Sequence, residues 1–333
     1  MEKIYDKKIL FISPHFFNYE KQIFQALETE GAIVTYFNER PSDKDLDKIL
    51  FRIFKKITRK KIEDYYQDLL DKVDKELFDY IFIIKPENMP KSFIEKLKLK
   101  NPHVKTILFM YDSIKNYKSI SNKINGFDFR YSFDREDCIT YNMKFRPLFF
   151  AKDYENLRGT IIDFKYDYSF IGTLHSDRMI ILKKIEKEFE ALGHSNKFYY
   201  LYIPMELIFY VRKIFNSEYK SLKLKDVKFR PFAFKSVLEI IKNSKIIIDI
   251  QHPKQTGLTM RTIEMLGAGR KLITTNTDIK NYDFYDPDNI LIIDREQPLV
   301  SELFVNSPYK SVSNDVLDKY SISGFIKEIF KEV

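Results

Sequence analysis

The sequence is poor in the residues that build disulfide frameworks, zinc ribbons and membrane spans. Its 333 residues include one cysteine, Cys138, and no tryptophan. A single thiol excludes an intramolecular disulfide, and the lack of a cysteine cluster excludes a zinc ribbon. The most apolar long stretch, residues 198–211, is interrupted by Pro204 and Glu206 and is too short for a membrane helix of about 20 residues. The opening MEKIYDKKILFIS mixes acidic and basic residues and is not typical of a signal peptide, so we expect a soluble cytoplasmic protein.

The signatures of several enzyme classes are also missing. There is no Gly-x-Ser-x-Gly elbow, no Walker A loop, and no Gly-x-Gly-x-x-Gly after the first apolar run, which ends in Ser13. These absences argue against an elbow-type nucleophile, a P-loop and a dehydrogenase. Asp-x-Asp pairs begin at Asp43, Asp45 and Asp286, but none follows a buried strand, and the five histidines are scattered. We therefore expect no bound metal and no resident cofactor.

The sequence does carry an excess of positive charge. With 56 basic and 48 acidic residues its net charge is +8, which favours anionic partners such as phosphorylated ligands, nucleic acid or anionic lipid. The densest basic run is Arg52–Lys61, and Phe51, Phe54 and Ile57 recur there at near-helical spacing. Two interpretations stay open for this run: a solvated helix face, or a helix that lies on an anionic membrane surface.

Short apolar runs alternate with helical patterns along the chain, and the alternation occurs twice. Among them, residues 8–13 and 145–150 are expected as strands and residues 19–29 as a helix. This order is typical of parallel sheets covered by helices on both faces. We expect an N-terminal domain at 1–150, a polar linker at 151–166 and a second domain at 167–312. A C-terminal helix is expected at 313–333, where it can pack back on the first domain. Ligands of such sheets bind beyond the carboxyl ends of the strands, so two facing domains predict a ligand in the cleft between them.

The most informative segment runs from Phe229 to Asn276. A buried strand is followed by a loop with Gly257, a helix with Arg261 and Glu264, and the small-residue stop GAG. Free amides at a helix start suit a diphosphate, an arginine adds a two-pronged contact, and an acid one turn deeper can accept hydrogen bonds from ribose hydroxyls. The alternative is an ordinary amphipathic helix in which Glu264 pairs with a neighbouring base. The candidate donor-binding residues of this segment are Arg230, Gln255, Thr256, Gly257, Thr259, Arg261 and Glu264.

A second candidate segment opens the second domain. A strand ends in Gly172 and Thr173, and His175 and Arg178 open the next helix. A cation in the first turn opposes the helix dipole and is unfavourable unless something anionic lies there. We expect Gly172 and Thr173 to let a phosphate approach the backbone, Arg178 to contact the diphosphate and His175 to bind the donor. A surface-loop histidine is the alternative for His175.

The segment at 255–269 resembles the nucleotide-binding half of GT-B glycosyltransferases. Glu264 falls on the second Glu of that family's Glu-x7-Glu motif, and Thr256 replaces the first, which disfavours a retaining mechanism. More closely, the chain resembles bacterial lipopolysaccharide and capsule glycosyltransferases named "glycosyltransferase family 1". The matching segments are FMYDSIKN at Phe109, FRPLFF at Phe145, SFIGTLHSDR at Ser169 and QTGLTMRTIEMLGAG at Gln255.

The resemblance implies an α/β GT-B fold, with two Rossmann-like domains whose parallel sheets face each other across a cleft. It also implies transfer of a sugar from a nucleotide-sugar to a hydroxyl of a surface polysaccharide or lipid-linked oligosaccharide. No metal is needed, because helix amides and cations neutralise the leaving diphosphate. No nucleic-acid partner is expected, and the Arg52–Lys61 run is the candidate site for peripheral membrane contact.

An inverting enzyme needs a general base, which we expect in the first domain. Asp112 and His15 both follow apolar strands, and Asp112 is the first choice. The alternatives are a helix cap or Asx turn for Asp112 and a solvent-facing loop residue for His15. Lys85 and Glu87 are candidates for the acceptor side. Other readings of the whole chain are a GT-B nucleotide-sugar epimerase, or a non-enzymatic protein that binds sugar or nucleic acid.

Overall fold

The computed structural model describes residues 4–44, 47, 51, 54–159, 163–220, 222–253 and 256–331. The chain divides into two compact units. Unit 1 comprises residues 1–148 and 322–333, and unit 2 comprises residues 149–321. Within the described residues, no helix is both long and apolar enough to cross a bilayer.

Unit 1 is a six-stranded parallel sheet with helices between the strands. The strand order is β2-β1-β3-β4-β5-β6, so the chain reverses its direction across the sheet between β1 and β3. The elements in chain order are β1 (Lys8–Ser13), α1 (Tyr19–Thr29), β2 (Ile33–Asn38), α2 (Lys55–Lys72), β3 (Tyr80–Ile84), α3 (Lys91–Lys100), β4 (Lys105–Met110), α4 (Lys118–Ser121), β5 (Phe129–Ser132), α5 (Arg135–Tyr141) and β6 (Lys144–Phe145).

Unit 2 repeats this architecture with another six-stranded parallel sheet. The order β12-β11-β10-β7-β8-β9 places the first strand of the unit beside the fourth, which is the Rossmann arrangement. The elements are α6 (Lys152–Glu155), β7 (Tyr166–Thr173), α7 (Arg178–Ala191), β8 (Lys197–Tyr202), α8 (Glu206–Phe215), α9 (Ser217–Lys220), β9 (Val227–Lys228), α10 (Phe234–Lys242), β10 (Ser244–Asp249), α11 (Met260–Ala268), β11 (Lys271–Thr274), β12 (Ile290–Ile292), α12 (Glu302–Asn306) and α13 (Asn314–Tyr320).

The last helix, α14 (Ile322–Lys331), completes the core of unit 1. Its Phe325 ring lies 4.8 Å from that of Phe109, and its Phe330 ring lies 5.7 Å from that of Phe82. Both partners are buried side chains of central strands. The last helix of the chain therefore covers apolar side chains of the central strands of unit 1.

Three expectations about the elements need correction. The strand expected at 145–150 is only Lys144–Phe145, because Pro147 has no N–H to donate to the ladder. The stretch expected as a linker contains α6 and groups with unit 2. The single helix expected at the C-terminus is two helices, because Ser321 adopts an extended conformation, and the division into units also falls at that residue.

Candidate functional site

The carboxyl ends of β7 and β10 form the switch point of the second sheet, and Arg178 spans it. Its Nε donates to the Ile250 carbonyl at 2.7 Å, and its Nη1 donates to the Thr173 carbonyl at 2.7 Å. A guanidinium has five N–H donors, so these two bonds fix the side chain and use only part of its donor set. Burial lowers the pKa of Arg178 from its ordinary value, while the nearby Asp249 opposes that shift.

Gly172 makes room for this arginine. A Cβ on Gly172 would lie 3.0 Å from Cζ of Phe170 and 3.4 Å from Nη1 of Arg178. Any larger residue would push the guanidinium or the Phe170 ring from its place. The glycine expected to let a phosphate approach the backbone thus has a demonstrable packing role beside Arg178.

Asp249, the last residue of β10, organises the start of α11. Its carboxylate accepts hydrogen bonds from the hydroxyls of Thr259, at 2.6 Å, and Thr262, at 2.8 Å. Thr259 is also the N-cap of α11, where its hydroxyl oxygen accepts from the Thr262 amide at 3.3 Å. Thr259 therefore stabilises the start of α11 as its N-cap. Contact of Thr259 with a donor stays a prediction.

The glycine loop before α11 is held from the next strand. The side-chain amide of Asn276, which follows β11, donates to the carbonyls of Thr256 and Gly257 at 3.1 and 3.3 Å. Gly257 is buried and Thr256 is half-buried. The predicted site residue Gln255 lies outside the described residues. The loop is therefore anchored at the same sheet edge as Arg178.

Arg295 is a second cation at this edge, and sequence reasoning missed it. Its Nη1 pairs with both carboxylate oxygens of Asp177, at 2.9 and 2.8 Å, and its Nη2 donates to the Gln251 carbonyl at 2.7 Å. Arg295 follows β12, and Asp177 precedes α7. Its position could have indicated this, because Arg295 comes two residues after the apolar run NILII. The other candidate residues likewise follow the carboxyl ends of strands.

His175 lies beside Arg178, and its ring centroid is 5.1 Å from that of His252. Burial, reinforced by Arg178 and His252, lowers the pKa of His175 to about 3. The imidazole is therefore neutral at physiological pH and retains one acceptor and one donor nitrogen. Its Nδ1 lies 2.9 Å from the Ser176 hydroxyl.

Arg261 and Glu264 pair with each other on α11. Nη1 of Arg261 lies 2.9 Å from Oε2 of Glu264, and the Arg261 guanidinium also interacts with the Tyr154 hydroxyl. Burial raises the pKa of Glu264 to about 8, whereas the adjacent cation favours the charged form. This is the pairing that the amphipathic-helix alternative anticipates, and contact of either residue with a nucleotide stays a prediction.

The GAG stop after Glu264 serves the packing of α11. A Cβ on Gly267 would lie 2.5 Å from Cγ of Phe150, so only glycine fits there without a shift. Gly269 has a φ of +61° and caps the helix, and Arg158 donates to the carbonyls of Leu266 and Gly267, both at 2.9 Å. The motif therefore fixes the position of α11.

Arg230 is not brought next to this group. It is exposed and follows β9, the edge strand two places from β7, and its carbonyl accepts from the Tyr200 hydroxyl at 2.8 Å. A donor-binding role for Arg230 therefore requires a ligand that extends across two strands.

In unit 1, the first-choice base Asp112 is paired with a lysine. Its Oδ2 accepts from Nζ of Lys85 at 2.9 Å, and Nζ also lies 4.0 Å from the centroid of the Tyr117 ring. Burial opposes the charge of Lys85, but Asp112 and the neighbouring tyrosines outweigh burial and raise its pKa. The Asp112 carboxylate is therefore already bound by a buried cation.

The second-choice base His15 is held by a buried carboxylate. Its Nδ1 lies 3.0 Å from Oε1 of Glu20, and the other oxygen of Glu20 accepts from the Phe16 amide at 3.1 Å. The Glu20 side chain is 3% exposed, whereas that of His15 is 42% exposed. Nε2 of His15 lies 3.4 Å from Oδ2 of Asp43. Both ring nitrogens of His15 therefore face carboxylates, Nδ1 that of Glu20 and Nε2 that of Asp43, while the ring stays accessible from solvent.

A second buried acid, Glu39, holds the loop of Lys85 and Glu87 at the same sheet edge. Its carboxylate accepts from the amide and side chain of Asn88 and from the Met89 amide. Burial raises the pKa of Glu39 to about 7, although the Asn88 amide opposes the shift. From the other side, Nζ of Lys123 donates to the Glu87 carbonyl at 3.1 Å. Amides and carbonyls of this loop are therefore both hydrogen-bonded.

Metal-ligating side chains do not cluster in the part of the chain that the structure describes, since no group of three His, Cys, Asp or Glu is placed to hold an ion. The expectation that no metal takes part stays a prediction.

Comparison with known proteins identifies the fold. No protein-family model matches the chain, and no curated protein matches it. Among solved structures, it is similar to the catalytic domain of Arabidopsis thaliana starch synthase IV bound to ADP and acarbose, with a TM-score of 0.55, 11% identity, and coverage of 98% of this chain and 99% of that one.

Two further structures of similar extent match. One is a UDP-forming α,α-trehalose-phosphate synthase from Burkholderia xenovorans in complex with glucose-6-phosphate, at a TM-score of 0.59 and 10% identity over 98% of this chain and 99% of that one. The other is a UDP-GlcNAc 2-epimerase from Neisseria meningitidis bound to UDP-GlcNAc, with a TM-score of 0.53 and 11% identity over 98% of this chain and 100% of that one. With these matches and its two six-stranded parallel sheets, the chain has the α/β GT-B fold of two Rossmann-like domains.

Proposed function

We propose that the protein is a glycosyltransferase that moves a sugar from a nucleotide-sugar to a hydroxyl of a bacterial surface polysaccharide or lipid-linked oligosaccharide. The observation that carries the proposal is the arginine at the switch point of the second sheet. Arg178 bridges the ends of β7 and β10 through neutral carbonyls, which orient its guanidinium without neutralising its charge. A nucleoside diphosphate is the anion that Rossmann sheets bind at this point.

In this proposal, unit 2 holds the donor. Arg178 binds the diphosphate, the start of α11 with Gly257 and Thr259 supplies amides, and neutral His175 donates or accepts one hydrogen bond to the sugar. The leaving diphosphate gains negative charge as the sugar departs, and cations and amides that are already in place stabilise it without reorganisation. The proposal therefore needs no metal ion.

Unit 1 holds the acceptor and the base. His15 takes the proton of the acceptor hydroxyl as that oxygen forms a bond to the sugar carbon, while the bond from that carbon to the diphosphate oxygen breaks. Glu20 stabilises the imidazolium that results, since it lies 3.0 Å from Nδ1. Attack from the face opposite the leaving group inverts the anomeric centre, in keeping with Thr256 at the place of the first motif glutamate. The pairing of Asp112 with Lys85 favours His15 over Asp112.

A nucleotide-sugar epimerase is the second candidate, because a UDP-GlcNAc 2-epimerase has the same fold and matches this chain with a TM-score close to those of the two transferases. An epimerase needs no acceptor. Incubation of the protein with nucleotide-sugars alone separates the two functions: a changed sugar configuration identifies an epimerase, and an intact or slowly hydrolysed donor supports a transferase.

The proposal is tested by thermal unfolding in the presence of UDP, GDP, CMP and dTDP. A nucleotide at about 100 times its Kd stabilises the folded state by about 2.7 kcal/mol, which raises the melting temperature measurably. We expect one of the four to do so. If none shifts the transition and the nucleotides also fail to bind in equilibrium dialysis, the donor site is refuted.

A further inference from the structure

Helix α8 of unit 2 presents an apolar face to solvent. The side chains on that face are 45–79% exposed and are Leu207, Tyr210, Val211, Ile214 and Phe215. Their spacing of three or four residues places them on one side of the helix. A surface helix of a soluble domain normally turns such a stripe towards the core, so this face requires a partner.

The opposite face of α8 holds the helix on the unit through polar contacts. Phe209 is buried, the guanidinium of Arg212 donates to the Leu174 carbonyl, and Nζ of Lys213 donates to the Leu222 carbonyl at 2.7 Å. Arg212 and Lys213 thus attach this face of α8 to the rest of unit 2. Because these bonds fix the rotation of α8, the apolar stripe stays on the outside.

A basic segment is attached to α8 through Lys213. The bond from Lys213 to Leu222 attaches residues 222–230 to α8. The exposed cations from residue 220 to residue 230 are Lys220, Lys223, Lys225, Lys228 and Arg230. The exposed acid among them, Asp226, accepts from the Lys223 amide at 2.8 Å. Positive charge therefore predominates in the segment that is attached to α8.

We propose that α8, Lys220 and residues 222–230 form a docking surface for an anionic lipid bilayer, with α8 lying in the plane of the membrane interface. A helix with an apolar and aromatic face, next to a segment rich in lysine, is the pattern that binds such interfaces. Each lysine near an anionic surface adds attraction, and Tyr210 combines a ring with a polar tip, which suits the headgroup level. A neutral protein partner would not require the lysines.

The Arg52–Lys61 run is less suited to this role. Phe51 is 2% exposed and Thr58 and Ile62 are buried, so part of the expected apolar face points into unit 1. Arg59 is paired with Glu63 at 2.8 Å, while Phe54 and Ile57 remain exposed. Arg52 and Ile53 lie outside the described residues. Membrane contact through this run stays a prediction, and the same experiment tests it.

The test is co-sedimentation with sucrose-loaded vesicles of phosphatidylcholine, with and without about 30 mol % phosphatidylglycerol. We expect the full chain to bind the anionic vesicles and the triple variant Leu207→Ser, Ile214→Ser, Phe215→Ser to lose at least about tenfold in partitioning. The matched apolar control is Leu299→Ser with Leu303→Ser, which are 73% and 80% exposed on unit 2, and it should bind like the wild type.

A charge pair of variants completes the design. Lys223→Gln with Lys225→Gln should weaken binding and reduce its dependence on salt, whereas Lys187→Gln with Lys280→Gln, two exposed lysines elsewhere on unit 2, should not. Unchanged melting temperatures show that each variant is folded.

Three outcomes overturn the proposal: no binding to anionic vesicles, loss of binding by Phe54→Ser with Ile57→Ser but not by the α8 variant, or a concentration-dependent dimer that the α8 variant dissociates. The last result would assign the stripe to a second copy of the chain. Because vesicle binding is measured without substrate, its failure and that of the proposed sugar transfer are distinguishable.

Discussion

At the scale of single residues, the second sheet holds its two arginines in different ways. Arg295 is paired with both oxygens of Asp177, whereas Arg178 donates to the carbonyls of Ile250 and Thr173. A carbonyl orients a guanidinium but does not cancel its charge. Arg178 is therefore the better placed of the two to bind an anion. A bound anion would explain why the first turn of α7 carries a cation, which the helix dipole otherwise disfavours.

Arg178→Gln should weaken binding of the nucleoside diphosphate by about 10- to 100-fold, because a hydrogen bond to a charged group contributes about 1.5–3 kcal/mol. Arg178→Lys should restore only part of the affinity, since an ammonium cannot span both carbonyls and the ligand. Isothermal titration with the nucleotide that stabilises the protein measures the change. Lys187→Gln on the same helix is the control, and equal affinities in all variants would remove Arg178 from the site.

His15→Ala should lower kcat by about 10²- to 10⁴-fold, the usual contribution of a general base, and leave the affinity for the nucleotide unchanged. Glu20→Gln should lower kcat less, because the imidazole keeps a partner but loses the charge that stabilises its protonated form. Turnover of donor and acceptor is the measurement, and His103→Ala, an exposed histidine of unit 1, is the control. Loss of activity in Asp112→Asn with full activity in His15→Ala would reverse the assignment.

At the scale of elements, α11 is positioned by contacts at both of its ends. Asp249 and Thr259 hold its start, and Gly269 and Arg158 hold its last turn. Between them Gly267 packs on Phe150. The Thr259–Glu264 segment is therefore presented to the sheet edge by a rigid helix, and the geometry of a site there depends on packing that lies far from it.

Gly267→Ala should destabilise unit 2 by about 1–3 kcal/mol, the range for overpacking a core, because its Cβ would lie 2.5 Å from the Phe150 ring. Chemical unfolding measures the loss. Gly126→Ala is the matched control, since the nearest atom to its Cβ is 4.0 Å away. Phe150→Leu in the Gly267→Ala background should recover part of the stability; equal stabilities of Gly267→Ala and wild type would show that α11 shifts freely.

At the scale of the whole molecule, the chain returns at its end to the unit where it began. Helix α14 belongs to unit 1 although all of unit 2 precedes it. Its Phe325 and Phe330 contact the rings of Phe109 and Phe82. The stability of the first sheet therefore depends on residues more than two hundred positions away in sequence.

Phe325→Ala should destabilise unit 1 by about 3–5 kcal/mol, the usual loss for a buried phenylalanine, and leave unit 2 unaffected. Hydrogen exchange followed by mass spectrometry should show reduced protection in β1, β3 and β4 but not in β7 or β10. Leu303→Ala, an 80% exposed leucine of unit 2, controls for loss of an apolar side chain. Reduced protection in both sheets would contradict this division.

The sequence by itself determined the succession of strands and helices, because a buried parallel strand is a short apolar run and a surface helix has a periodic one. β1 and α1 match the predicted bounds, Lys8–Ser13 and Tyr19–Thr29. It also determined the fold class, since the same alternation occurs twice. These features are local, so neighbouring residues are enough to specify them.

Only the tertiary structure decided which side chains meet. That Lys85 pairs with Asp112 and that Arg295 reaches Asp177 depend on strands that are distant in sequence and are brought together in one sheet. The order of the strands, the break at Ser321 and the outward face of α8 likewise follow from long-range contacts. A single sequence carries no local signal for such pairings, because the energy that selects them exists only once both partners are buried together.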